Sequence, residues 1–341
     1  MKTICSLLVT ALTPAFLVPA GKAAAGEIGH FAPGVANIRD FVVPEPGIYG
    51  VLYNYFYTTD RLNDSHGNKV ESVTINSGAG SSVTLGVNVD VNLYALAPTL
   101  IWVTGIKPLG IKYGAFIAPT FMNANLDAAL SAAGGQVGNV DSGNFGVGDL
   151  FVQPIWLGKT TPHWDFALGY GFYAPVGKYD TGTLTLPGIG PFKVESSDNL
   201  GYGFWTHQFQ GAVSWYPRRQ EGGTVVALAL TYETNGRKED FDLTPGDNLT
   251  LNWGISQLQP LKKDGSLLLE VGPAGYDTWQ ITDDTGSAAN NTRDQVHAVG
   301  GQFGVTYAPW MLSVNFHGFY EYWAVDRFQG TSFGLNISKK F

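Results

Sequence analysis

Six histidines are the side chains of this sequence best suited to chemistry, because imidazole serves as a metal ligand and as a general base near neutral pH. No two of them stand in the HExxH spacing or in another close metal-ligand pair. No serine lies in a GxSxG nucleophile elbow, and Gly177-Lys178 lacks the upstream glycine and the following Ser or Thr of a phosphate-binding loop. We therefore predict no catalytic residue, no metal site and no cofactor.

Two weaker chemical interpretations stay open. A barrel phospholipase would need a Ser–His pair near the rim, and His207 and His297 fall near the outer ends of predicted strands, although no serine motif accompanies them. Acids in the predicted outer loops could bind divalent cations, but a solvated charged surface is the commoner use of such residues. These acids include Asp60, Asp64, Asp283 and Asp284.

The composition argues against a surface that faces water on all sides. Only 14% of the 341 residues are charged, whereas about 25% is usual for a soluble domain. Glycine is abundant, with 44 residues, but it has no collagen period, and 44% of the chain is apolar, which excludes fibrous and disordered classes. The net charge of −8 argues against nucleic acid as a partner.

Residues 1–25 have the pattern of a cleaved secretory signal peptide. Lys2 supplies a positive start, an apolar run extends from Ile4 to Val18, and three alanines at 23–25 precede Gly26. A buried N-terminal helix is the alternative, which two prolines in the apolar run disfavour. Because Cys5 is the only cysteine, we predict a mature chain without disulfides or thiolate chemistry.

The rest of the chain shows alternation with period two, bounded by Gly, Pro, Asn and Asp, and contains no apolar stretch of about 18 residues that could form a membrane-spanning helix. The pattern favours a helix in only one short stretch, 121–133. Most of the alternating segments suit the 9–11 residues that cross a bilayer obliquely. Twelve strands are predicted, at 48–58, 86–104, 110–123, 145–157, 164–176, 199–216, 223–236, 246–258, 265–281, 295–308, 310–324 and 331–341.

The connections between these segments alternate in length. The short ones lie at 105–109, 158–163, 217–222, 259–264 and 308–310, and the long polar ones at 59–85, 124–144, 177–198, 237–245, 282–294 and 325–330. Short periplasmic turns and long extracellular loops are typical of bacterial outer-membrane barrels, in which closure pairs every backbone group. We predict an all-β fold, a closed antiparallel transmembrane β-barrel of about twelve strands over 47–341. A soluble β-sandwich or barrel is the alternative.

The alternation also assigns faces. In the eighth segment Leu249, Leu251, Trp253 and Ile255 share the predicted lipid face, and polar residues share the other. The second segment is assigned in the same way, with the valines at 87, 89 and 91 outward and the polar residues at 88, 90 and 92 inward. The alternation of apolar and polar residues in this segment becomes irregular near Ala97-Pro98, where we predict a bulge or kink.

The inward face predicts a narrow, acid-rich lumen, because twelve strands lie between the eight of filled barrels and the 16–18 of open porins. Such a lumen would disfavour anions and accept neutral or cationic solutes. The acids need partners, which Lys112 and the segment holding Arg39 could supply. The lumen candidates are Asp149, Gln153, Asp165, Gln208, Gln210, Glu233, Asn252, Glu270, Asn315, His317 and Glu321.

Residues 26–46 precede the first predicted strand and are too polar to lie in lipid. We expect this segment either to enter the lumen from the periplasmic side as a plug or to form a flexible periplasmic tail. At the other terminus, Phe333, Leu335, Ile337 and Phe341 alternate up to the last residue, as in the assembly signal of outer-membrane barrels. The predicted partners are therefore the barrel assembly machinery, outer-membrane lipid with lipopolysaccharide, and a small-molecule solute.

Several motifs resemble those of a known family. They are Gly29 to Gly34 (GHFAPG), Pro44 to Gly47 (PEPG), Tyr53 to Tyr57 (YNYFY), Phe172 to Asp180 (FYAPVGKYD), Asn199 to Gly203 (NLGYG) and Trp205-Thr206. Together they resemble the outer-membrane β-barrel family named for a meta-pathway of phenol degradation. This resemblance covers nearly the whole mature chain and implies a transporter-like outer-membrane protein, without catalytic residues to carry over.

The function predicted from these observations is a channel in the outer membrane of a Gram-negative cell for passive uptake of small hydrophobic or aromatic solutes. The alternative is a non-conducting structural or adhesive barrel that binds partners through its loops.

Overall fold

The computed structural model describes residues 29–76, 82–132, 135–186, 190–196, 199–218, 223–289 and 292–341. The predicted signal peptide, 1–25, lies outside the described residues. Within them there are three short 3-10 turns, Ile38–Phe41, Pro108–Gly110 and Ala308–Trp310, and no helix with the length and apolar character needed to span a membrane.

Fifteen strands make up the remaining regular structure. They are β1 (Gly47–Thr59), β2 (Ser72–Asn76), β3 (Ser82–Val103), β4 (Ile111–Ala132), β5 (Gly135–Thr160), β6 (Trp164–Ala174), β7 (Thr181–Leu186), β8 (Gly190–Glu195), β9 (Thr206–Trp215), β10 (Gly223–Asn235), β11 (Asn248–Pro260), β12 (Leu267–Gln280), β13 (Gln295–Tyr307), β14 (Leu312–Val325) and β15 (Thr331–Lys340).

Twelve of these strands close into an antiparallel barrel. Each barrel strand pairs with its neighbour in the chain, and β1 closes the circle by pairing with both β15 and β3. The other three strands are accessory, since β2 pairs with the outer end of β3, and β7 and β8 form a separate hairpin between β6 and β9. The predicted closed twelve-stranded fold is confirmed.

The inward and outward faces of most strands follow the sequence alternation. In β14, Val314 and Phe316 are exposed on the outer face, whereas Asn315 and His317 between them are buried on the inner face. The same arrangement holds in β9 and β11. The apolar side chains on these outer faces suit contact with lipid, and closure leaves no unpaired strand edge in that environment.

The predictions for the outer part of β3 and β4 are wrong. A short helix was predicted at 121–133 and a long polar connection at 124–144, but β4 continues as a strand to Ala132 and β5 begins at Gly135. On β3, Val89 is buried while Asn88 and Asp90 are exposed, the reverse of the predicted faces. At about 3.3 Å per residue, a 22-residue strand is far longer than the apolar band of about 25 Å. Beyond that band the outer face contacts water, so lipid no longer dictates which face is apolar.

The bulge or kink predicted at Ala97-Pro98 does not shift the register of β3. The register against β1 is unbroken there, and the pairing with β4 is interrupted at 97–99 and resumes in the same register. Register shifts occur instead at Gly114/Phe116, Pro119/Phe121 and Leu130/Ser131 between β4 and β5, at Val152/Ile155 between β5 and β6, and at His297/Ala298 between β13 and β14.

Candidate functional site: the barrel lumen

The N-terminal segment, residues 29–46, lies against the inner wall of the barrel. Ile38, Phe41 and Val43 are buried there, with 2%, 5% and 4% of their surfaces exposed. Glycines of the barrel wall leave space for two of these side chains, Val43 and Ile38. A Cβ on Gly158 of β5 would lie 2.6 Å from Val43 Cβ, and a Cβ on Gly254 of β11 would overlap the Ile38 side chain. The missing side chains on these two strands therefore leave space for the apolar residues of the segment.

Wall side chains accept hydrogen bonds from the backbone of the segment. The amide of Phe31 donates to Glu233 Oε1 at 2.9 Å, and the amide of Gly34 donates to Asn252 Oδ1 at 3.0 Å. Gly34 has φ +73°, so its backbone adopts a left-handed turn that a glycine takes without strain.

The central part of the segment is fixed in the same way. The amide of Ile38 donates to Gln302 Oε1 at 2.8 Å, and Asn336 Nδ2 donates to the carbonyl of Val35 at 2.8 Å. Because this backbone belongs to no strand ladder, the wall side chains satisfy groups that would otherwise be buried without partners.

Charged pairs hold the lower half of the segment. Arg39 Nε donates to Glu270 Oε1 at 2.8 Å, and Glu45 bonds Lys112 at 2.7 Å and Lys107 at 3.1 Å. Hydrogen bonds from Lys112 and then Lys107 lower the pKa of the Glu45 carboxyl below its ordinary value of 4.5. Arg39 therefore meets a lumen acid as the sequence suggested, whereas Lys112 pairs with an acid of the segment.

The upper end of the segment is the imidazole of His30, which lies between three aromatic rings and Asp149. Its Nε2 is 2.9 Å from Asp149 Oδ2, and its Nδ1 is 2.8 Å from Thr206 Oγ1. Tyr173 stacks on the imidazole at a centroid distance of 4.7 Å. His30 is 2% exposed, so the segment ends in a filled and enclosed pocket.

A second polar cluster centres on Glu321 of β14, which is 2% exposed. Its carboxylate accepts hydrogen bonds from Tyr57 Oη at 2.8 Å, from Tyr276 Oη at 2.9 Å and from the amide of Gly330 at 2.6 Å. The two tyrosines and the loop amide share one charge, which is a well-satisfied structural arrangement for a buried carboxylate.

All eleven predicted lumen residues lie on the inner side of their strands. Asp165 and Gln210 are half-buried, and the nine others are buried: Asp149, Gln153, Gln208, Glu233, Asn252, Glu270, Asn315, His317 and Glu321. The structure joins Glu233, Asn252 and Glu270 to the N-terminal segment and Asp149 to His30. His317 instead packs beside Phe319, at 5.8 Å between ring centroids, and contacts no described part of residues 29–46 by a hydrogen bond.

Sequence reasoning missed Gln302, Asn336, Thr206 and His30 as parts of this site. The first three are polar residues at inward positions of barrel strands, the same signal that selected the eleven candidates. The role of His30 carries no local signal, because its partners are 119 and 176 residues away in the chain.

The two histidines considered for lipid chemistry lie apart from this site. His297 Nδ1 is 2.6 Å from Asp277 Oδ1, and His207 Nδ1 is 3.0 Å from Tyr170 Oη. In the described part of the chain, no serine hydroxyl forms a hydrogen bond with either imidazole, so the geometry does not assemble a Ser–His pair there.

The C-terminal strand presents its alternating residues outward. Phe333, Leu335 and Phe341 are 42%, 37% and 75% exposed, and β15 pairs along its length with β1 and β14. Lys339 departs from the apolar pattern, and its Nζ lies 5.6 Å from the centroid of the Phe341 ring. The role of this strand in assembly stays a prediction.

Comparison with known proteins gives a family and a fold. The family model described as "Putative MetA-pathway of phenol degradation" matches residues 59–337. The COG4313 outer membrane channel from Pseudomonas putida F1 is similar in structure, with a TM-score of 0.60 at 16% identity over 90% of this chain and 100% of that one. At this identity the likeness shows the barrel fold alone.

Two further solved structures are less similar. The β-domain of the Bordetella autotransporter BrkA has a TM-score of 0.45 at 11% identity, over 86% of this chain and 99% of its own. A deltaS2 mutant of the TodX monoaromatic hydrocarbon channel has a TM-score of 0.39 at 11% identity, over 98% and 99%. A comparison with curated protein sequences finds no match.

Proposed function

The chain belongs to this phenol-degradation family and is an outer-membrane β-barrel, and from that premise we propose that it is a channel for passive uptake of small hydrophobic or aromatic solutes. The observation that carries the proposal is the filling of the lumen. The described segment inside the barrel, residues 29–46, is attached to the wall by hydrogen bonds, ion pairs and apolar contacts, all of which are reversible.

The chemistry of the wall supports solutes that are neutral or cationic. Buried acids contribute to both polar clusters, with Glu233 and Glu270 beside the segment and Glu321 beside the tyrosines. Such a wall disfavours anions, because an entering anion would have to approach buried carboxylates in a narrow lumen. Aromatic side chains next to the segment, including Tyr173 and Tyr276, offer planar apolar contacts to an aromatic solute.

In this proposal, residues 29–46 close the lumen at rest and must shift for a solute to pass. The segment enters beside the start of β1 and the short turn that precedes β4, where Glu45 bonds Lys107 and Lys112. It extends to Asp149 near the opposite end of the lumen. In this proposal, closure of the lumen by the segment, rather than the barrel diameter, sets the conductance.

Planar-bilayer recording of the refolded mature protein tests the proposal. We expect small or infrequent currents that aromatic solutes alter, and larger steady currents after deletion of residues 27–43. Heat-modifiable gel migration controls for correct folding of both proteins. Unchanged conductance after the deletion would contradict the plug, and a folded barrel without conductance in either form would favour the structural or adhesive alternative.

A further inference from the structure

Three of the motifs that carry the family resemblance are far apart in the chain but meet at the carboxylate of Asp149. Its Oδ1 accepts the amide of Gly177 at 2.9 Å, and its Oδ2 accepts the amide of Tyr202 at 2.9 Å. The same Oδ2 lies 2.9 Å from His30 Nε2. Two backbone amides therefore hold the carboxylate in place independently of the histidine.

The approach of these loops to Asp149 depends on glycine. A Cβ added to Gly177 would lie 2.9 Å from Asp149 Oδ1, and one added to Gly201 would lie 2.7 Å from the same atom. Either side chain would force the loop away from the carboxylate. The two glycines thus allow a preformed acceptor to be built on the lumen wall.

Aromatic rings enclose the space next to this acceptor. The imidazole of His30 lies 4.7 Å from the Tyr173 ring, 4.6 Å from the Tyr202 ring and 5.0 Å from the Phe204 ring, measured between centroids. The first ring is nearly parallel to it, at 23°, and Phe204 is edge-on, at 80°. Three aromatic rings beside one carboxylate enclose a flat heterocycle and give one of its N–H groups an acceptor.

The hydrogen-bond directions show what the pocket offers its present occupant. Asn235 Nδ2 donates to the carbonyl of Gly246 at 2.7 Å, so its Oδ1 faces Thr206 Oγ1 at 2.6 Å and accepts the hydroxyl proton. Thr206 Oγ1 and Asp149 Oδ2 therefore present lone pairs to the two ring nitrogens of His30, at 2.8 Å and 2.9 Å. Burial lowers the pKa of the His30 imidazole below its ordinary value of 6.5, so the pocket favours the neutral ring, which carries one N–H.

The same hydrogen-bond directions exclude proton transfer from the Thr206 hydroxyl to the imidazole. The order Thr206, His30, Asp149 has the connectivity of a nucleophile, base and acid, but the hydroxyl proton points to Asn235 and Thr206 is fully buried. The site is therefore arranged to bind a ring and not to activate a hydroxyl.

We infer that this pocket, defined by Asp149, Thr206, Tyr173, Tyr202 and Phe204, is a binding site for planar nitrogen heteroaromatics that carry a ring N–H, and that His30 is its tethered occupant. A solute of this class presents the same N–H donor and the same flat face as the histidine. It competes with His30, so its binding favours release of the N-terminal segment. The inference rests on the proposed channel and names one solute class for it.

Direct binding to the refolded protein in detergent tests the inference without any measurement of conductance. His30→Gly vacates the pocket, and imidazole at about pH 8, where it is neutral, should bind this variant at least tenfold more tightly than the wild type. His66→Gly removes an exposed loop histidine and should behave as the wild type. His30→Leu fills the pocket with an apolar side chain and should bind imidazole no better than the wild type.

A ligand of matched shape tests the carboxylate without a further mutation. Thiazole has a flat five-membered ring but no N–H donor in its neutral form, so it should bind His30→Gly at least tenfold more weakly than imidazole. Equal binding of the two rings, or no gain of imidazole binding in His30→Gly with heat-modifiable migration intact, would overturn the inference. If the protein conducts but does not bind imidazole selectively, the inferred binding site is contradicted and the proposed channel is not. If it binds imidazole selectively but does not conduct, the proposed channel is contradicted.

Discussion

The attachment of the N-terminal segment can be tested at Ile38, the most completely buried apolar residue of that segment. Its side chain occupies the space in front of Gly254, and its amide donates to Gln302. Ile38→Ala removes the apolar contact and leaves the backbone hydrogen bond in place. The substitution lies outside every barrel strand, so the barrel itself should keep its stability.

The size of the effect follows from burial. Truncation of a buried isoleucine to alanine costs about 2–5 kcal/mol, and Ile38 is only 2% exposed. Because about 1.4 kcal/mol corresponds to a factor of ten, the ratio of released to docked segment should rise about 30- to 4,000-fold. If the docked form predominates in the wild type, this change brings the released form into a measurable range.

Thiol labelling can follow the release. The sequence has one cysteine, Cys5, inside the predicted signal peptide, so Val43→Cys gives the mature protein a single thiol. Val43 is 4% exposed and packs on Gly158, which protects this thiol while the segment is docked. In the Val43→Cys background, Ile38→Ala should accelerate labelling by the factor given above, and Ile106→Ala should not. Ile106 is 75% exposed in the turn before β4 and is a matched control.

A double-mutant cycle gives the sharper result. Gly254→Ala places a Cβ against the Ile38 side chain and should also accelerate labelling, because overpacking destabilises the docked form by about 1–3 kcal/mol. With Ile38→Ala present, the new methyl group enters the vacated space, and the combined effect should be smaller than the sum. Additive effects, or an acceleration by Ile38→Ala no greater than that by Ile106→Ala, would refute the proposed docking.

Three further predictions use the same thiol label. Gly34→Ala should raise the labelling rate at least fivefold, because the φ of Gly34 is +73° and an added Cβ would lie 2.8 Å from a phenylalanine ring. Gly105→Ala is the control and should have no effect, since nothing lies within 4 Å of a Cβ added there. Glu270→Gln removes the carboxylate partner of Arg39 and should raise the rate about tenfold, and unchanged labelling would show that this pair contributes nothing. The depressed pKa of Glu45 means that its ion pairs stabilise docking at neutral pH and weaken as pH falls from the ordinary value of 4.5 through that lowered pKa. Labelling should therefore rise as the pH falls through this range, and Glu45→Gln should abolish the rise.

Most of the fold could be predicted from the sequence because lipid imposes a strict rule on each strand. Any strand in the apolar band must alternate, and unpaired backbone edges cannot remain in lipid. Segments such as 246–258 and 310–324 obey that rule, and the structure has strands at Asn248–Pro260 and Leu312–Val325. The rule stops at the edge of the membrane, which is why the outer parts of β3 and β4 were assigned incorrectly.

The inward positions were also predictable, since they follow from the same alternation. Glu233 and Asn252 were selected as lumen residues only because they occupy inward positions of the alternating pattern, and both lie buried on the inner face. The alternation does not say what an inward residue contacts. Whether Glu233 binds a neighbour on the wall, a water or another segment depends on distances across the barrel.

The sequence by itself determined the strand alternation within the apolar band, the even strand number and the acid-rich inner face. Only the tertiary structure decided where residues 29–46 lie and that His30 reaches Asp149. The contacts of His30 with Asp149 and of Ile38 with Gln302 each join residues more than 100 positions apart. The physical reason is the distance over which each constraint acts. The surrounding lipid imposes alternation residue by residue, whereas a contact across the lumen exists only after closure of the barrel brings opposite walls together.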